Sequence, residues 1–177
     1  MPRFPFEFHQ ADALDFLAQH HVEFDAFHAS PPCQKHTIAQ RLHGKNYECF
    51  IKQTRAMLNE IGKPYVIENT PLAPLVDPIE LSGKTFGLRV IRRRLFESNF
   101  PIPEPPRESY PRGCTNSHRG LSTGGEYICV AGHNFPVAEA REAMDIDWMT
   151  QKGLAQAIPP AYTQYIGQYL AKAVTNA

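Results

Sequence analysis

The chain has 177 residues, 42% apolar and 20% charged, with 18 lysines and arginines balanced by 18 aspartates and glutamates, which bounds it to about one soluble domain with a sizeable core and argues against a polybasic tail. No apolar run approaches the ~20 residues of a membrane span, and the amino terminus lacks the apolar core and cleavage site of a signal peptide. Four cysteines, Cys33, Cys49, Cys114 and Cys129, are too few for a disulfide scaffold, so a cytoplasmic protein with free thiols or thiol ligands is expected.

In chain order, residues 11–19 (ADALDFLAQ) read as a short helix entered from a turn at Asp12. Residues 24–29 form a brief buried strand that runs into Ser30-Pro31-Pro32. Residues 47–61 carry Phe50, Ile51, Met57, Leu58 and Ile61 among helix formers, and Gly62-Lys63-Pro64 stops them. Tyr65-Val66-Ile67 is a second buried strand ending at Glu68-Asn69-Thr70-Pro71. This strand, helix, strand order predicts an α/β fold with a mainly parallel sheet and crossover helices. Both strands then deliver polar residues to one edge, where open α/β sheets bind ligands: Cys33 from the first, Glu68 from the second. Residues 97–136 lose apolar periodicity to Pro, Gly and Ser and read as an irregular inserted lobe. Helical composition returns at residues 138–144, and residues 166–174 close the fold after Pro159-Pro160. The whole chain, residues 1–177, is read as a single domain containing that insert.

The thiol of Cys33 is open to three readings: nucleophile, metal ligand or inert filler, the last being the usual fate of a cysteine near a strand end. Glu68 can cap the turn that follows it, and Ile91-Arg92-Arg93-Arg94 can be a solvated strand edge. Arg89, Arg92, Arg93 and Arg94, with Arg107, Arg112 and Arg119, give the middle of a neutral chain a basic bias suited to phosphate contact. Cys114-x3-His118 and Cys129-x3-His133 have the ligand types of a tetrahedral zinc site but not a common finger spacing. The alternative is a loop whose cysteines pack and whose histidines meet solvent or DNA. A metal on His28, Cys33 and His36 would occupy the thiolate, so no metal is assigned.

Taken together, the Pro32-Cys33-Gln34 turn, the Glu68-Asn69 strand end, the Arg92-x-Arg94 pair and the closing Gln156-Ala157-Ile158-Pro159-Pro160 resemble, in order and spacing, the DNA cytosine-5 methyltransferases, and among them the small phage-type DNA methylases. The resemblance implies a reduced Rossmann-like methyltransferase domain with 97–136 as target-recognition insert, double-stranded DNA as partner and S-adenosylmethionine as methyl donor. It implies a catalytic set of Cys33, Glu68, Arg92 and Arg94, with Cys33 adding to carbon 6 of a flipped cytosine and Glu68 holding a proton at ring nitrogen 3. Arg94 would donate to the base or the activated centre, with Arg92 as support. Asp12, Pro31, Pro32 and Gln156 would form walls of the cofactor pocket, and Gln34, Asn69 and Arg93 would contact substrate. Enzymes of similar design that methylate an exocyclic amine carry an aromatic residue after Pro-Pro, so a cysteine there selects the ring carbon.

The chain departs from the family pattern in having no Gly-rich turn after a first strand and no acidic residue closing a second. It begins near where the family's second strand would end. Val90 replaces a glutamine before the arginines, Thr70 a valine, and Ala155-Gln156 a Gly-Asn pair. A parallel sheet without that first strand exposes an apolar edge, so a homodimer or a partner chain supplying the segment is expected. The rival reading is an inactive or accessory DNA-binding module that has lost the donor site. A third is a nucleotide-level enzyme resembling thymidylate synthase or a hydroxymethylase.

Overall fold

The computed structural model describes residues 6–32, 49–106 and 127–176. Cys33, Gln34 and His36, the pair Cys114 and His118, and Arg107, Arg112 and Arg119 lie outside these residues. The described elements run α1 (Ala13–His20), β1 (Phe27–Ala29), α2 (Ile51–Ile61), β2 (Tyr65–Asn69), β3 (Ile79–Leu81), β4 (Arg94–Ser98), α3 (Val137–Met144), α4 (Gln151–Gln156) and α5 (Pro160–Thr175), with 3-10 turns at His21–Glu23 and Gly83–Phe86. The four strands have the order β1-β2-β4-β3. The fold is thus mixed α/β, and parallel pairing is established for β1 with β2, in the register Phe27↔Tyr65, His28↔Val66 and Ala29↔Ile67. Among the described residues no helix is long and apolar enough to cross a membrane.

The chain groups into two compact units. One comprises residues up to Pro78 with Phe96–Pro101 and Leu170–Ala177; the other comprises Ile79–Leu95 and Ile102–Tyr169. In the first unit, α1 starts where the Asp12 carboxylate accepts from the amides of Leu14 and Asp15 at 2.9 and 3.1 Å, a side-chain N-cap that satisfies two orphan donors. Helix α2 stops at Gly62, whose φ of 74° places it in the left-handed region and lets its amide reach the Leu58 carbonyl, a conformation that suits glycine. Lys63 then donates to the carbonyls of His21 and Phe24, so the residues after α1 are held by the turn before β2. All five residues of β2 are buried. Leu58, Tyr65 and Ile67 form the core with Leu17, Phe27, Ala29 and Leu75 packed against them. The helix α2 therefore crosses between two parallel strands and buries one face, the βαβ arrangement expected from the sequence.

A buried ion pair ties α2 to β4 in the same unit. Arg55 donates from Nη2 to Glu97 Oε2 at 2.7 Å and from Nε to Oε1, and Nη2 also reaches the Pro74 carbonyl at 3.0 Å. Glu97 Oε2 accepts from the Val76 amide at 2.8 Å. The hydrogen bond to Glu97 raises the Arg55 pKa above its ordinary value. Because β4 extends through Ser98, the first two residues of the stretch expected to be irregular, Glu97 and Ser98, are strand.

The second unit packs Val90, Ile128, Val130 and Phe135 with Ala140, Ala143, Met144, Ile146 and Leu154. Val90 bridges Ile128 in a parallel pairing. Gly83 is required here: a Cβ on it would lie 2.0 Å from the Val90 carbonyl oxygen, while its amide donates to the Ile91 carbonyl at 2.8 Å.

Two stability measurements check these anchors. Arg55→Met leaves the Glu97 carboxylate buried without its countercharge and is expected to cost about 3–5 kcal/mol in urea unfolding; no loss would mean Glu97 finds water instead. Gly83→Ala is expected to cost ~1–3 kcal/mol by overpacking against backbone.

Candidate functional site

In the first unit, the register of β1 with β2 brings the chain out of both strands at the same edge, one strand leading into Ser30-Pro31-Pro32 and the other into Glu68-Asn69. Parallel strands whose Cα atoms are paired at Ala29 and Ile67 place the residues that follow within side-chain reach of each other. The observed link is direct: Asn69 Nδ2 donates to the Pro31 carbonyl at 2.9 Å. Asn69 Oδ1 accepts from the Thr70 amide at 3.0 Å. Asn69 is fully buried and Glu68 is 8% exposed, so the amide is a clamp that fixes the proline turn against the end of β2. Thr70 serves the clamp through its backbone amide.

Beneath that turn lies a cavity of about 800 Å³, lined by Asp12, Pro31 and Pro32 together with Phe8, Phe16, Phe24, Phe27, Phe50 and Leu58 among others. Three of the four residues assigned to a cofactor thus border one cavity. Its size falls in the ~300–1,000 Å³ range of small-molecule clefts, and its apolar walls with a few polar groups are typical of them. Asp12 contributes one carboxylate to this wall while its Oδ1 caps α1. Sequence reasoning missed the phenylalanines of the wall; the signal available was their density over residues 4–27, which reads equally as ordinary core.

His28 borders the same cavity and stacks on Phe96, ring centroids 6.5 Å apart. The residue as a whole keeps solvent access, but desolvation of the ring lowers its pKa from 6.5. A depressed histidine favours the neutral form in the native state. Its contribution to stability is present above the unfolded value and lost as pH falls through the folded one.

In the second unit the arginines are committed to structure. Arg92 has a φ of 35°, and its guanidinium donates to the carbonyls of Val130 and Ala155, the latter at 2.9 Å. The Tyr162 hydroxyl donates to the Arg92 carbonyl at 3.0 Å. Arg92 is therefore a bolt between the segment after Ile128, the last turn of α4 and α5. Arg93 makes a two-point ion pair with Glu80, Nε to Oε1 being 2.8 Å. Arg94 donates from Nη1 to the Arg93 carbonyl at 2.8 Å. Gln156 is the exposed last residue of α4. Val90 is 1% exposed and belongs to the core, which accounts for an apolar residue at that position.

Of the four residues with zinc-ligand character, Cys129 and His133 are described. Burial raises the Cys129 thiol pKa, and nearby Arg92 partly opposes this. Among the described residues no group of three or more His, Cys, Asp or Glu is arranged to hold a metal ion.

No protein-family model matches the chain, and no curated protein matches it either.

Two outcomes follow from this geometry. Asn69→Leu removes the donor to Pro31 and is expected to lower stability by about 1–3 kcal/mol, read by urea unfolding; wild-type stability of Asn69→Leu would show that the clamp does not matter. For His28, the wild type is expected to lose stability relative to His28→Gln as the pH is lowered from about 7 to about 5; parallel pH profiles of the two proteins would contradict the lowered pKa.

Proposed function

We propose that the protein is a DNA cytosine-5 methyltransferase-like enzyme on a Rossmann-like, mainly parallel sheet, with S-adenosylmethionine as donor and double-stranded DNA as substrate. The observation that carries the reading is the clamp of Asn69 on Pro31. It holds the Pro31-Pro32 turn, which directly precedes Cys33 in the sequence, against the end of β2 that carries Glu68 and Asn69, at one edge of two parallel strands. The cavity beside that edge supports the second half of the reading. An apolar, aromatic wall suits a purine and Asp12 suits its exocyclic amine, so the residues present fit the donor.

In the reaction, cytosine carbon 5 is too weakly nucleophilic to take a methyl group unaided. The Cys33 thiolate adds to carbon 6, forming a C–S bond, and the ring electrons move toward nitrogen 3. Glu68, as a carboxylic acid, places a proton on nitrogen 3 and neutralises the charge that arrives there. Carbon 5 is now part of an enamine. The donor, when bound, supplies an electrophilic methyl group to that carbon. A base then removes the carbon 5 proton, the electrons left behind restore the ring double bond, the C–S bond breaks to release the thiolate, and the nitrogen 3 proton returns to Glu68. Asp12, Pro31 and Pro32 are assigned to the donor, and Gln34 and Asn69 to substrate, Asn69 chiefly by holding the turn.

A 5-fluorocytosine substrate tests this because fluorine cannot leave as a proton does, so the covalent complex accumulates. The wild type with S-adenosylmethionine is expected to give a denaturant-resistant complex with 5-fluorocytosine DNA, and Cys33→Ala none. DNA binding without any covalent complex would overturn the enzymatic reading in favour of a binding module.

A further inference from the structure

Residues 6–12 are exposed without interruption, yet Glu7, Phe8, His9 and Ala11 form one wall of the first unit's cavity. Phe6 and Phe8 are 75% and 52% exposed, although apolar surface of this size next to an apolar cavity gains free energy by entering it. The segment has a fixed end and a side-chain latch. Its fixed end is Asp12, tied to the amides of Leu14 and Asp15 at the start of α1. Its latch is His9, whose ring lies 5.1 Å from Phe16 and whose Nε2 pairs with Glu7 at 2.7 Å. Phe16 is in turn stacked on His20 at 4.4 Å, which holds the latch's receiving face in place.

We propose that residues 6–11 are a strap that closes over this cavity when a flat ligand occupies it, Phe8 covering the ligand and the His9–Phe16 contact fastening the strap. The wall opposite is made of β1, the Pro31-Pro32 turn and the α2 residues Thr54 and Leu58. The cavity's ~800 Å³ leaves room for the Phe8 ring to descend beside a ligand. The inference rests on the reading of this cavity as the donor site, and adds to it how the ligand is retained.

The test uses the whole chain and the unreactive probe S-adenosyl-L-homocysteine. At saturating probe, amide hydrogen exchange of residues 6–11 is expected to slow at least ~10-fold, while amides of β3 and α3 are unchanged. Phe8→Ala is expected to weaken probe binding by about tenfold, and Phe8→Tyr to keep most of the affinity. Binding by the wild type with unchanged exchange at 6–11 would overturn the strap and leave the donor site standing. Absence of probe binding by the wild type would overturn both.

Discussion

A single side-chain amide decides how the two motif-bearing loops of this protein meet. Asn69 sits at the buried end of β2, and its side-chain amide donates to the Pro31 carbonyl. Proline at 31 and 32 fixes φ and removes backbone donors, so the turn meets the Asn69 amide through the Pro31 carbonyl. The parallel register of β1 with β2 brings the two chain segments close, and the amide sets their separation. Glu68 immediately precedes Asn69 in a strand whose every residue is buried, so the clamp and Glu68 share one fixed stretch of backbone.

The supports of this arrangement are unusually polar. In the first unit the Arg55–Glu97 pair holds α2 and β4, with the Pro74 carbonyl and Val76 amide completing the hydrogen bonds. Satisfied in this way, a buried ion pair specifies geometry more than it adds stability. In the second unit Arg92 plays the comparable part through two backbone carbonyls, one of them at the last turn of α4, where a cation is favoured by the helix dipole. The triple arginine run that reads from sequence as a basic surface is therefore largely spent within its own unit: Arg92 on carbonyls, Arg93 on Glu80.

Much of the first unit was legible because its signals are local. Asp12 before ADALDFLAQ, Gly62 after an apolar-periodic run, and the apolar triplet Tyr65-Val66-Ile67 each announce a boundary, and the helix, strand and crossover follow. The strand expected over 24–29 is shorter, Phe27–Ala29, because Lys63 captures the carbonyls of His21 and Phe24 from 42 and 39 residues away; no local pattern shows that. The final helix starts at Pro160, six residues before its expected beginning, since proline at a first helical position is compatible with the helix it seemed to delay. Helix α4 was not expected: Gly153 lies in its middle, and its start rests on the Thr150 hydroxyl accepting from the Gly153 amide. The site shows the same division. Asp12, Pro31 and Pro32, singled out from sequence, border one cavity, but the use of Asn69 as a clamp on Pro31 depends on strand register, which sequence alone does not carry.

The central chemical claim is that this edge of the sheet activates a cytosine ring by covalent attack. Attack at carbon 6 makes the hydrogen on carbon 5 exchangeable even before any methyl transfer, so the most direct measurement is release of tritium to water from random-sequence DNA labelled at cytosine carbon 5, with no donor added. The account predicts release by the wild type that is abolished in Cys33→Ala and strongly reduced in Glu68→Gln. Release no faster from the wild type than from Cys33→Ala, under conditions where both bind the DNA, would contradict it.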